Sequence, residues 1–74
     1  MEYYSEARRL GELLKNEGLL AESAKIEEAI VQGETGTEIM MGIRFHLKQA
    51  IPKASPATKV EIRALLSTIT KALE

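Results

Sequence analysis

The chain has 74 residues, a formal net charge of -1 and a hydrophobic content of 45%. This length fits one domain, and the balance of apolar and charged residues is that of an ordinary globular protein. The sequence contains no cysteine, no aspartate and a single histidine. These absences exclude disulfide frameworks, thiolate nucleophiles, cysteine-based zinc sites and EF-hand loops. We therefore expect a non-enzymatic protein without a metal ion, cofactor or small-molecule substrate.

The sequence also argues against a membrane protein. No apolar run reaches the roughly 18 residues that a bilayer-spanning helix needs. The first residues lack the basic region and apolar stretch of a signal peptide. We expect a soluble, cytoplasmic protein with no membrane partner.

Glycine separates two helical segments in the first half of the chain. Residues 2–16 and 19–32 each repeat apolar residues at helical spacing, and good helix formers fill the positions between them. Gly18 ends the first segment, because glycine readily adopts the left-handed conformation that closes a helix. Gly33 follows the second segment as its expected C-cap. The short connection predicts an antiparallel pair of helices.

The second half has the same two-helix pattern. Thr35 and Glu38 form a capping-box pattern before a helix over residues 37–51, and Pro52 stops that helix. Ser55 followed by Pro56 is a favourable start for a helix over residues 56–73. A second capping-box pattern begins at Thr58, so Thr58 is the alternative start.

Together these segments predict an all-α fold, a compact four-helix domain made of two successive αα-hairpins with antiparallel neighbours. The core of so small a domain rarely supplies more than about 3–5 kcal/mol of folding free energy, and small proteins often add a disulfide, a bound metal ion or association with another chain. Because cysteine is absent and no metal-ligand set is evident, we expect tight helix packing, self-association, or both to supply the remaining stability.

The near-neutral net charge conceals an uneven distribution along the sequence. Residues 1–37 contain eight glutamates and four basic residues, for a net charge of -4. Residues 38–74 contain three glutamates and six basic residues, for a net charge of +3. The simplest interpretation is that the two hairpins pack with complementary rims. The alternative is that each half meets a partner, or that two copies meet acid to base.

Residues 36–48 are the least generic part of the sequence. Gly42 lies in the middle of the predicted third helix, at a cost of about 1 kcal/mol relative to alanine. Such a glycine usually allows another helix to cross closely. The functional alternative is a shallow notch with Gly42 as its floor and Met41, Phe45 and His46 as its walls.

Six residues are our candidates for protein contact. They combine the notch, a basic cluster and an aromatic side chain near the N-terminus: Met41, Arg44, Phe45, His46, Lys48 and Tyr4. Tyr4 is included because only its neighbour Tyr3 continues the apolar face of the first helix. A catalytic role for His46 is disfavoured, because four short helices offer little concavity for a pocket.

The function that these patterns favour is a non-enzymatic protein–protein interaction module that binds a protein partner or associates with itself. One alternative is a small nucleic-acid-binding regulator that uses the basic face of the second half. The loop between the second and third helices is too long for a DNA-binding helix-turn-helix, and a set of base-stacking aromatics is lacking. An antitoxin- or immunity-type binding protein is a further alternative.

Overall fold

The computed structural model describes residues 2–74, which form four α-helices and one short 3₁₀ turn. The helices are α1 (Tyr3–Asn16), α2 (Leu20–Gln32), α3 (Gly36–Ala50) and α4 (Pro56–Leu73), and the 3₁₀ turn is Ile51–Lys53. The described residues contain no β-strand. The predicted all-α, four-helix fold is therefore confirmed.

Local capping explains where the helices begin and end. The Thr35 hydroxyl accepts a hydrogen bond of 3.1 Å from the Glu38 N–H at the start of α3. The Ser55 hydroxyl accepts one of 3.3 Å from the Thr58 N–H at the start of α4, so Ser55 is the N-cap. Gly18 has a φ of 83° after the end of α1, which is the left-handed conformation predicted for it.

Helix ends differ slightly from the sequence expectation. α2 begins at Leu20, and Leu19 is its N-cap without a side-chain hydrogen bond. α3 begins at Gly36 and ends at Ala50. Pro52 lacks the N–H that a continuing α-helix would use, so residues from Ile51 onward tighten into the 3₁₀ turn.

The four helices form a ring in which each packs against two neighbours. α1 contacts α2 and α4, and α3 contacts the same two helices. Apolar residues that recur at helical spacing meet inside this ring and form a single core. Its fully buried large side chains are Leu10, Leu14, Ile26, Ile43, Leu47, Ile62, Leu65 and Ile69.

Glycines allow α2 and α3 to approach closely. A Cβ at Gly42 would lie 2.9 Å from the Cβ of Ala29 on α2. A Cβ at Gly33 would lie 3.0 Å from the Ala29 carbonyl oxygen and would overlap the side chain of Ile39. Gly33 is the C-cap of α2, as predicted, and it has extended backbone there, with its N–H donating to the Ala29 carbonyl oxygen.

Charged side chains join the two halves of the chain. Arg9 on α1 forms an ion pair with Glu61 on α4. Lys53 in the 3₁₀ turn forms one with Glu22 on α2. In the pair between Glu22 and Lys53 the acid comes from the first half and the base from the second, as complementary rims require. In the pair between Arg9 and Glu61 the base comes from the first half and the acid from the second.

Candidate protein-contact surface

Two large apolar side chains lie on the solvent side of α3. Met41 is 49% exposed and Phe45 is 58% exposed. They are one helical turn apart, so their side chains lie next to each other on the same face. The opposite face of the helix carries the buried Ile43 and Leu47. The exposed pair is therefore a surplus of apolar surface that the core of this chain does not use.

Arg44 and Lys48 lie on one flank of this exposed face. The contact between Gly42 and Ala29 marks the flank of α3 that faces α2. Since residues of an α-helix are spaced about 100° apart, Arg44 points about 200° away from Gly42, on the flank towards α4. Lys48 follows one turn later on the same side. Arg44 is half-buried in this position, and Lys48 is exposed.

Two further cations lie on the side of α4 that helix geometry turns towards α3. The ion pair between Arg9 and Glu61 marks the flank of α4 that faces α1. Lys59 and Arg63 each lie two residues from Glu61 and hence on the side towards α3. We call the set formed by Arg44, Lys48, Lys59 and Arg63 the basic seam. Across residues 2–74, none of these four cations takes part in an ion pair.

His46 lies on the other flank of α3, towards α2. Its ring is half-buried and meets the Phe45 ring edge-on, with the ring centroids 5.1 Å apart and an interplanar angle of 84°. It borders a hollow of about 220 Å³ that also involves Glu22 and Lys53. The Glu22 carboxylate there is engaged by the Lys53 ammonium, which lowers the pKa of Glu22.

The close helix crossing predicted at Gly42 is confirmed, and the alternative, an open notch, is not present. The methyl group of Ala29 occupies the space above this glycine, because α2 crosses α3 there. The rings of Phe45 and His46 still touch each other, but the space at Gly42 between α3 and α2 is filled and does not form an open cleft. The structure keeps Met41, Phe45, Arg44 and Lys48 on one continuous surface and sets His46 at its edge.

Tyr4 is separate from these residues. Both Tyr3 and Tyr4 are partly buried and pack against the core. The Tyr4 hydroxyl lies 3.6 Å from the position of a Cβ at Gly36, at the first residue of α3. Tyr4 therefore packs beside the start of α3, nine residues before Phe45, and the structure does not bring it to the exposed face.

A surface concavity lies between α1 and α2, where the sequence predicted no candidate residue. It has a volume of about 600 Å³, and Gly11, Leu20 and Ala24 contribute to its lining. The Arg8–Glu27 ion pair spans the two helices beside it, with a nitrogen–oxygen distance of 3.1 Å. The sequence carried one signal for this concavity, because Leu20 lies beside the apolar face of its helix; the structure leaves Leu20 61% exposed.

Two kinds of feature are absent from the described residues. Within residues 2–74, no group of three or more histidine, cysteine, aspartate or glutamate side chains is arranged to hold a metal ion. In the same residues, no helix is both long enough and apolar enough to cross a bilayer. The distinctive chemistry is the exposed apolar pair beside the basic seam.

Comparisons with known proteins provide no further identification. No protein-family model, no curated protein and no solved structure matches this chain.

Proposed function

We propose that this protein is a non-enzymatic protein-binding module whose docking surface is the exposed face of α3. Met41 and Phe45 provide its apolar centre, and Arg44 and Lys48 provide its charged edge. The observation that carries the proposal is the 58% exposure of Phe45 beside the 49% exposure of Met41, on a helix whose opposite face fills the core.

The residue types on this face are those that anchor protein interfaces. Aromatic residues, methionine and arginine are enriched in interfaces, and a few such residues commonly supply most of the binding energy. Methionine also adapts to irregular apolar partners. Burial of the exposed Phe45 ring by a partner would remove apolar area from water, which is the main driving force for association.

The basic seam determines the chemistry of the partner that fits best. Among residues 2–74 none of its four cations forms an ion pair, so an acidic partner gains attraction without first breaking one. We propose a partner segment that combines at least one large apolar side chain with several carboxylates. Such a segment would seat its apolar residue between Met41 and Phe45 and place its carboxylates along the seam.

A displayed peptide library tests this proposal directly. Random peptides with fixed acidic positions are selected on the wild-type protein, and the affinities of the enriched peptides are measured by titration. We expect Phe45→Ala to weaken them by at least about tenfold, the effect of losing one interface anchor. Lys48→Glu weakens them through charge reversal. Val60→Ala is the matched control, because Val60 is 66% exposed on α4.

The result that contradicts the proposal is equally specific. Enriched peptides that bind Phe45→Ala and Lys48→Glu as tightly as the wild type show that the exposed face of α3 is not the docking surface. Thermal unfolding of each variant separates this outcome from a loss of fold, since both altered residues are exposed and should leave stability within about 0.5 kcal/mol.

The basic seam supports nucleic-acid binding as a second candidate function. Four cations on the facing sides of α3 and α4, none of them in an ion pair within the described residues, provide the positive charge that phosphate contacts require. A fluorescence titration with duplex DNA and with single-stranded RNA at several salt concentrations tests it. This candidate predicts affinity that falls steeply with salt and falls further in the Lys59→Ala and Arg63→Ala variants. A flat titration at low salt rejects it.

A further inference from the structure

We infer that a second copy of this chain docks on the exposed face of α3, with the two α3 helices antiparallel about a two-fold axis. This inference rests on the proposed function, since it uses the same surface, and it names one occupant. The surface is self-complementary in one orientation only, and four exposed residues of α3 determine that orientation.

The four residues follow a heptad pattern. Glu38, Met41, Phe45 and Lys48 are spaced by three, four and three residues, the spacing of alternating a and d positions in a coiled coil. All four lie on the exposed side of the helix. A helix face with this heptad spacing normally packs against another helix, but α2, α4 and the core lie on other sides of α3.

Antiparallel pairing matches each of these residues with a complementary one. In that orientation the a positions of one helix face the d positions of the other. Phe45 packs on Met41 of the second copy, and the two-fold axis repeats this contact. Lys48 faces Glu38 of the second copy, and this contact is also made twice. The same face on the two copies thus gives two apolar contacts between Phe45 and Met41 and two ion pairs between Lys48 and Glu38.

Parallel pairing of the same face is unfavourable. A parallel arrangement brings each a residue next to its own copy and each d residue likewise. Glu38 would meet Glu38 and Lys48 would meet Lys48, so both charged layers would repel. The charge pattern of the face therefore selects the antiparallel orientation, and a contact of that kind closes as a two-fold dimer instead of growing into a filament.

The side chain of Glu38 is compatible with this role. Its Oε2 accepts a long hydrogen bond of 3.4 Å from the Glu34 N–H, as part of the capping arrangement at the start of α3. A carboxylate has about four lone-pair sites, so it can accept from a lysine ammonium at the same time. The dimer contact then engages a charged group that the isolated fold leaves exposed.

Arg44 opposes this association and makes it weak. Arg44 lies at a g position of the same heptad. In an antiparallel pair the g positions of the two helices face each other. The two copies of Arg44 therefore approach each other near the two-fold axis. A contact built on a single helix face also falls at the small end of interface sizes. We expect a dimer that forms only as the protein concentration rises.

Sedimentation equilibrium over a wide concentration range tests the inference. The wild-type mass is expected to rise from 8.2 kDa towards twice that value. Lys48→Glu and Glu38→Lys each place two like-charge pairs in the dimer and are expected to raise its dissociation constant by about tenfold. An equal mixture of these two variants restores association, because every charged layer of the mixed dimer is again complementary. Lys15→Glu on α1 is the control for Lys48→Glu, because both substitutions change the net charge by the same amount.

The outcomes separate this inference from the proposed function. A wild-type mass that stays at 8.2 kDa at every concentration overturns the dimer. A dimer that ignores both charge reversals, or that the mixture does not restore, places the interface elsewhere and also overturns it. Arg44→Ala distinguishes the two proposals, because it strengthens the antiparallel dimer but weakens the capture of an acidic peptide. Peptide capture that depends on Phe45 in a strictly monomeric protein leaves the proposed function standing alone.

Discussion

Glu17 accepts two hydrogen bonds from Ser55, one from its backbone N–H and one from its hydroxyl, each 2.8 Å long. The Thr58 hydroxyl donates a third, 2.6 Å long, to the same carboxylate. Glu17 is the C-cap of α1, and Ser55 is the N-cap of α4. The positive end of the α4 dipole favours a carboxylate at this position. One side chain thus connects the end of the first helix to the start of the last.

Ser55→Ala should destabilise the fold at this junction. The substitution removes the one Ser55 hydroxyl, which accepts from the Thr58 N–H and donates to the Glu17 carboxylate. Loss of an N-cap costs about 1 kcal/mol, which lowers the unfolding temperature by about 4–8 °C in a domain of this size. Ser67→Ala is the control, because Ser67 is an exposed residue inside α4. Equal melting temperatures for the two variants would show that the junction contributes nothing.

The same carboxylate makes stability depend on pH. Hydrogen bonds from Thr58 and Ser55 hold the pKa of Glu17 below its ordinary range, and Lys53 does the same for the pKa of Glu22. A carboxyl whose pKa is lower in the folded state stabilises the fold above its unfolded pKa, and this stability is lost as the pH falls through the folded value. We therefore expect the unfolding temperature to drop below about pH 5.

Glu17→Gln isolates the part of this pH dependence that belongs to the junction. The variant should be less stable than the wild type at pH 7, and its unfolding temperature should fall less on acidification. The two proteins should converge once Glu17 is protonated in the wild type. Thermal melts of both proteins from neutral to acidic pH provide the measurement, with Glu28→Gln on the exposed side of α2 as the control. Parallel curves for wild type and Glu17→Gln would contradict this assignment.

Two glycines within helices should respond in opposite ways to alanine. A Cβ at Gly42 meets the Ala29 Cβ at 2.9 Å, so α2 and α3 must separate, at a cost of about 1–3 kcal/mol. A Cβ at Gly11 has Ser23 Oγ as its nearest neighbour, at 3.7 Å, which is ordinary contact. Gly11→Ala should thus stabilise α1 by up to about 1 kcal/mol, the difference in helix propensity.

Chemical denaturation of the two glycine variants measures both effects. Ala29→Gly combined with Gly42→Ala moves the methyl group from one helix to the other and should recover part of the loss. The explanation fails if Gly42→Ala is as stable as Gly11→Ala, or if the double variant is less stable than Gly42→Ala alone.

Local sequence patterns were sufficient to predict the helical fold. Apolar spacing, the Thr35–Glu38 capping pattern and the left-handed Gly18 depend on residues within one or two turns of each other. Ser55 and Thr58 were both valid starts for α4 by these rules. The structure uses both residues, Ser55 as the N-cap and Thr58 as a donor to Glu17.

Contacts between helices were the part that the sequence alone did not reveal. The bonds from Glu17 to Ser55 join residues that are 38 positions apart, and no local pattern specifies that pairing. The same limit applies to the candidate site. Gly42 predicted a close helix crossing, with an open notch as the alternative, but the sequence did not specify that α2 is the helix that crosses there. The exposure of Phe45 is likewise a consequence of which face of α3 the core occupies.

A matched pair of leucines tests how much the single core contributes to stability. Leu10 is fully buried, whereas Leu20 is 61% exposed beside the groove between α1 and α2. Leu10→Ala removes buried methyl groups and leaves a cavity, at a cost of about 2–5 kcal/mol. A core of this size supplies only about 3–5 kcal/mol in total, so this variant should be largely unfolded. Leu20→Ala should change stability by less than about 0.5 kcal/mol.

Ile43→Val keeps the core test informative if Leu10→Ala does not fold. Ile43 is also fully buried, and loss of a single methylene there should cost about 0.5–1.5 kcal/mol, which leaves a folded protein whose denaturation curve can be measured. If Leu10→Ala and Ile43→Val both match the wild type, the interior inside the four-helix ring does not stabilise the fold. If both are destabilised only at low protein concentration, association of two copies supplies the missing stability, because a dimer that binds only the folded state stabilises it by mass action.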